Sequence, residues 1–137
     1  MGYRVVDTTA DTGIEAWGES LKELFEETAR GLLYLMADLS KVDPVEEVEA
    51  EVEGVDYEDT LVTMLNEIIY LHETRKMLFS DIEILDLSPG KVRFRLRGEK
   101  IDLRKHELNT EVKAATYHNI RIAKEGDTYR VRVVFDL

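Results

Sequence analysis

The chain closes with Val133-Val134-Phe135-Asp136-Leu137, so the Asp136 carboxylate lies within one residue of the terminal carboxylate. Both groups are ionised at neutral pH, since their ordinary pKa values are about 4 and about 3.5. Two anions this close repel unless something separates them. The residues alone leave three solutions open: a solvated end, an ion pair with Arg130, Arg132 or Lys113, or a hard cation held by oxygens. Chain ends usually fray, so pattern alone favours the solvated end.

The three histidines, His72, His106 and His118, lack the i, i+4 partner of a helical zinc site, and no cysteine is present to complete one. His72 falls on an apolar helical stripe and reads as a packing residue. His106 and His118 have the chemistry of general bases, but no serine or carboxylate accompanies them at a recognisable spacing. No glycine-rich phosphate loop of either common type occurs. The chain offers no identifiable nucleophile, which argues against catalysis.

Residues 91–97 alternate strictly, with Lys91, Arg93, Arg95 and Arg97 on one face and Val92, Phe94 and Leu96 on the other. This strip is either a basic surface for RNA phosphates or an acidic partner, or the complement of Glu47, Glu49, Glu51 and Glu53 on an earlier strand. The second reading is favoured, because opposite charges across strands stabilise a sheet. A structure that separated these strands would weaken it. No aromatic residue shares the face of these basic side chains, so the strip lacks the usual platform for stacking bases.

Overall charge bears on the same question. The net charge is −11, but residues 1–88 carry 22 acidic and 6 basic side chains, whereas residues 89–137 carry 7 and 12. The basic half leaves room for a local cationic face, although mutual neutralisation on folding is the simpler expectation. The N-terminal stretch has no apolar signal core, and no segment approaches the roughly 18 apolar residues of a membrane span. A soluble, cytoplasmic protein without a membrane partner is expected, and the absence of cysteine suits a reducing compartment.

Positioning these residues requires a set of elements that the periodicity makes legible. Two strands, 3–8 and 14–18, flank a turn at Asp11-Thr12-Gly13. Ser20 and Glu23 form a capping box for a helix over 21–38, with an apolar stripe of Leu21, Leu24, Phe25, Leu32, Leu33 and Met36. A strand is expected over 45–53, then a helix over 58–73 capped by Asp56 or Asp59. Ile82 and Ile84 mark another strand, and Ser88-Pro89-Gly90 turns the chain into 91–97. Ile120 and Ile122, then Val131, Val133 and Phe135, predict two final strands around Gly126-Asp127. The order ββαβα followed by strands implies a single α+β domain over 1–137, a mixed or antiparallel sheet packed on one face by two helices.

Several of these stretches together resemble the archease family. Asp7-Thr8-Thr9-Ala10-Asp11-Thr12-Gly13-Ile14 is similar to its opening Asp-His-Thr-Ala-Asp-x-Gly, and Ala16-Trp17-Gly18 follows. Leu61 to Leu71 resembles its Leu-rich helix with a central Asn-Glu. Gly98-Glu99-Lys100, His106-Glu107 and Thr110 to His118 match further, as does the terminal Asp136-Leu137. Thr8 stands where the family usually has His, so any proton-transfer role of that imidazole is missing here.

The resemblance implies a metal-binding activator rather than an enzyme. Archease is the partner of RtcB-type RNA ligases in tRNA splicing, where it promotes guanylylation of the ligase and repeated turnover. Carried over by position, the ligands of its divalent cation are Asp11, Asp136 and the main-chain or terminal oxygens of Leu137. Such oxygen donors suit calcium, magnesium or manganese. Lys113 is a candidate for partner contact, and RNA is expected to be reached through the ligase. The alternative is a metal-dependent phosphate-ester hydrolase using the same carboxylates; a general chaperone-like binder is a third reading.

Overall fold

Ser20 starts the first helix: its Oγ accepts the Glu23 amide at 3.1 Å from an extended backbone. The computed structural model describes residues 1–7 and 11–137. Helix α1 spans Leu21–Met36 and buries the expected stripe, Leu24, Phe25, Leu32, Leu33 and Met36 included. It ends two residues earlier than periodicity predicts. Ala37 is already extended, sends its N–H back to Leu33 O and bridges to Leu108 instead of continuing the turn. The reciprocal arm of the capping box also differs, since Glu23 Oε2 reaches the amide of Glu19 at 3.4 Å.

Helix α2, Tyr57–Arg75, begins in a reciprocal pair of caps. Asp56 Oδ1 accepts the Asp59 amide and Asp59 Oδ2 accepts the Val55 amide, each at 2.8 Å, so both candidate caps act. Leu61, Leu65, Ile68 and Ile69 face the core. His72 is half-buried and its Nδ1 meets Met77 O at 2.7 Å; a carbonyl only accepts, so this nitrogen carries the proton.

The strands are β1 (Gly2–Asp7), β2 (Thr12–Gly18), β3 (Glu46–Glu53), β4 (Met77–Ser88), β5 (Lys91–Lys100), β6 (Ala114–Ala115), β7 (Ala123–Glu125) and β8 (Thr128–Asp136). They form an α+β fold with two antiparallel sheets, ordered β1-β2-β8-β6 with β7 also on β8, and β3-β5-β4. Both helices touch both sheets: α1 packs on β2 and β4, and α2 on β3, β4 and β6. The apolar faces of the two sheets, Ile14, Val133 and Phe135 on one and Val92, Phe94 and Leu96 on the other, share one core with the helices. Helices bridging two sheets replace the expected packing on one face of a single sheet. Among the described residues no helix is long and apolar enough to cross a membrane.

Two local expectations are corrected. Thr12 and Gly13 belong to β2 rather than to a turn, paired with Asp7 and Val6. Glycine is needed there for close approach, since a Cβ would stand 2.9 Å from Val133 O. The segment Ile120–Ile122 is not a strand; β7 begins at Ala123. Ile120 donates to Tyr117 O and Ile122 to the Glu58 carboxylate, so neither amide is available to a ladder.

The basic strip meets its complement directly. Glu47, Glu49, Glu51 and Glu53 lie opposite Arg97, Arg95, Arg93 and Lys91 across β3 and β5. Arg95 is bonded to Glu49 at 2.9 Å and Glu83 at 3.1 Å, and Arg97 to Glu47 at 3.0 Å. The structural reading of residues 91–97 therefore holds.

Candidate functional site

The last register pair of β2 and β8 is Thr12 with Phe135. Asp11 precedes Thr12 and Asp136 follows Phe135, so continuing the register by one step would set the two acidic residues opposite each other. Residues facing each other across antiparallel strands share a sheet face. Here that face is the outward one, because Ile14, Ala16, Val133 and Phe135 fill the inward one. Both aspartates are exposed.

The neighbouring segment is held by bonds that periodicity does not reveal. Lys113 donates its amide to Asp136 O at 2.9 Å, which fixes the β8 backbone and brings Lys113 beside it. Asn66, in the middle of α2, accepts the Ala115 amide at 2.8 Å and donates to Ala115 O at 3.2 Å. The amide side chain thus acts as a one-residue strand partner for β6. Thr116 donates both its amide and its hydroxyl to Val134 O. Tyr117 donates to Asp59 at 2.6 Å; with the Val55 amide, this holds the Asp59 carboxyl below its ordinary range.

This fastening carries His118 and Asn119 over the outward sheet face. With Asp11, Arg132, Val6, Gly13 and Val134 they line a pocket of about 240 Å³. His118 thereby joins Asp11, an association that chain spacing could not show. A polar Asn inside the apolar run of α2 was the sequence signal for Asn66. The proximity of His118, Asn119 and Arg132 to Asp11 had none, because it depends on the β2–β8 register and on the bonds that fix Ala115 and Thr116.

The donor chemistry of this end is carboxylate and main-chain oxygen. Among the described residues no three histidine, cysteine or acidic side chains gather to hold an ion. The set implied by resemblance asks for two carboxylates, from Asp11 and Asp136, with Leu137 supplying main-chain oxygen. Such hard donors fit a hydrated calcium, magnesium or manganese ion rather than zinc. Position 8, where the family's histidine is replaced by Thr8, lies outside the described residues.

His106 is accounted for differently. It is buried, its Nδ1 accepts the Asp102 amide at 2.9 Å, and its Nε2 therefore donates to Glu99 at 3.1 Å. Both ring nitrogens are used as struts. Glu99 also accepts the Asp43 amide at 2.6 Å and the Lys105 ammonium at 2.7 Å. The Asp43 amide and Lys105, helped by His106, draw its carboxyl down to about 2.

Residues 3–137 match the model of the Archease protein family (MTH1598/TM1083). The chain belongs to the archease family. It is 40% identical to protein archease of Methanopyrus kandleri over 140 residues, covering the whole of both chains. It is 34% identical to protein archease of Danio rerio over 139 residues, 98% of this chain and 85% of that one. The solution structure of Methanobacterium thermoautotrophicum protein 1598 superposes with a TM-score of 0.82 at 32% identity, covering 99% of each chain. The crystal structure of a Thermotoga maritima archease, described as a possible chaperone, gives 0.66 at 30% identity, covering 96% and 94%.

Proposed function

We propose that this chain is a divalent-cation-binding activator of an RtcB-type RNA ligase, promoting ligase guanylylation and repeated turnover in tRNA splicing. The observation that carries the reading is the Thr12–Phe135 register pair, which Asp11 and Asp136 directly flank at the exposed end of β2 and β8. A bound ion would supply positive charge for binding or orienting phosphate oxygens in the partner's active site. The chain's own contribution is positional. Asp11 and Asp136 present carboxylates on one face, and the Lys113 amide holds the Asp136 main chain. Lys113 stays outside the ligand set, since an ammonium cannot donate electrons to a metal, and is left to contact the partner.

This role needs no nucleophile on the activator, because the ligase owns the guanylylated histidine and the RNA. His106, the buried candidate base, is committed to holding a loop. The test is guanylylation of the ligase with and without this protein, comparing wild type, Asp11→Ala and Asp136→Ala. Both substitutions should abolish most of the stimulation; intact stimulation in both would remove the mechanism. A phosphate-ester hydrolase using the same carboxylates would instead turn over p-nitrophenyl phosphate alone, and the activator should not.

A further inference from the structure

The outward faces of the two sheets carry opposite electrostatic designs. On β3-β5-β4 the cation lies underneath: the Arg95 side chain is 28% exposed, while its partners Glu47, Glu49 and Glu83 are 55%, 50% and 48% exposed. On β1-β2-β8 the order is inverted. Glu15 is 17% exposed beneath Arg4, Arg130 and Arg132, which are 63%, 42% and 55% exposed. Burial alone would raise the Glu15 carboxyl pKa, but hydrogen bonds from Arg132 and Arg4 more than offset it and hold the group ionised. One submerged carboxylate cannot neutralise three guanidiniums.

Register sets the layout. Arg4 and Arg132 flank Glu15 from the two neighbouring strands, and Arg130 lies opposite Trp17. Arg130 and Arg132 are two residues apart on one face, about 7 Å along the strand. Arg130 rests over the Trp17 ring, 5.6 Å from its centroid, so its position is set in advance. Arg121 lines the adjoining hollow of about 410 Å³ with these two arginines. The further acid there, Glu125, is 69% exposed and reaches Arg130 at 3.4 Å. Around Glu15, four arginines therefore stand against two carboxylates on a chain of net charge −11, while Asp11 and Asp136 lie at the end of the same face.

We propose that the outward face of β1-β2-β8, through Arg4, Arg121, Arg130 and Arg132, binds the phosphodiester backbone of single-stranded RNA directly. Three features select this partner. The guanidinium fork matches phosphate oxygens in a bidentate way. The half-buried Trp17 and the plane of Arg130 provide the stacking surface that the 91–97 strip lacks. The face is largely polar, with Val6, Trp17 and Val134 as its apolar members, and charge rather than a broad apolar surface dominates it. It adjoins the Asp11 pocket through Arg132, which lines both hollows.

The test is fluorescence anisotropy of a labelled twelve-nucleotide RNA of mixed sequence with the full chain, without ligase or added divalent ion. Binding should weaken with salt at a log–log slope of about −2, the value for roughly three phosphates on a single strand. Arg130→Gln with Arg132→Gln should weaken it at least tenfold. Arg121→Gln, which leaves the Glu15 cluster intact, should weaken it several-fold with unchanged thermal unfolding. Arg93→Gln on the other sheet should leave it unaltered. Because the contacts are to phosphates, DNA of the same sequence should bind within a few-fold. Equal affinity in wild type and Arg121→Gln, or loss of RNA to poly-glutamate at matched charge, would overturn the assignment, the latter pointing to an acidic protein. Failure here leaves ligase activation untouched, since neither ligase nor metal enters the measurement.

Discussion

The side-chain amide of Asn66 closes two hydrogen bonds on the main chain of Ala115, one in each direction. These bonds join the middle of α2 to β6, whose Ala114 pairs with Asp136. Asn66→Ala should leave the Ala115 N–H and C=O without these partners, at a cost of about 1–3 kcal/mol for each group that stays unsatisfied. Asn66→Asp retains the acceptor but turns a carboxylate oxygen toward Ala115 O, and should fall between. Urea unfolding checks the order. Calcium titration should show weaker binding in Asn66→Ala; an unchanged affinity would mean that β6 does not position Asp136.

Gly98 faces Phe79 on β4 and Glu46 on β3, at the centre of the second sheet. An added Cβ would lie 2.7 Å from Phe79 Cα and nearer still to Leu78 O. Both obstacles are backbone, so no rotamer change relieves them. The register also shifts between Phe79 and Asp81, where β4 already bends. Gly98→Ala should destabilise by about 3 kcal/mol or more, the upper part of the overpacking range. A melting temperature within a few degrees of wild type would show that β4 can yield.

Glu99 gives the chain a specific acid sensitivity. Its carboxyl sits at about 2 because the Asp43 amide and Lys105 favour the ionised form, with His106 adding to them. A depressed folded-state value contributes stability that is complete above the unfolded pKa of about 4.3 and is lost as pH falls toward 2. The stability gap between wild type and Glu99→Gln should therefore be widest above pH 5 and narrow steadily below it. Denaturant midpoints between pH 6 and pH 2.5 measure this. A gap independent of pH would assign the loss to packing rather than to charge.

What was legible in the sequence follows the range of the interactions involved. Helices and long strands were readable because their periodicity reflects burial of one face, and the glutamate and arginine faces of β3 and β5 announced their pairing through charge. Ile120 and Ile122 misled because their amides are taken by Tyr117 and by Glu58, the latter distant along the chain. Two residues of β6 are too few for any pattern. Gly13 looked like a turn glycine, yet it answers the approach of Val133 O on β8. The candidate site shows the same limit. Family resemblance supplied Asp11 and Asp136, whereas Arg132 joined Asp11 through the β2–β8 register and His118 and Asn119 through the bonds that fix Ala115 and Thr116, none of which local spacing encodes.

That register also sets the sharpest test of ion binding. Asp11 and Asp136 carry the two side-chain charges of the proposed ligand set, and both are exposed, so replacement should not disturb the core. Calcium binding to wild type should be abolished by excess chelator and restored on adding calcium back. Asp11→Ala and Asp136→Ala should each weaken it at least tenfold, about 1.4 kcal/mol. If both aspartates grip one ion, the double substitution should cost clearly less than the sum of the singles, because either loss already dismantles the site. Strict additivity in isothermal titration would instead mean that each carboxylate acts alone, and a shared cation between β2 and β8 would have to be abandoned.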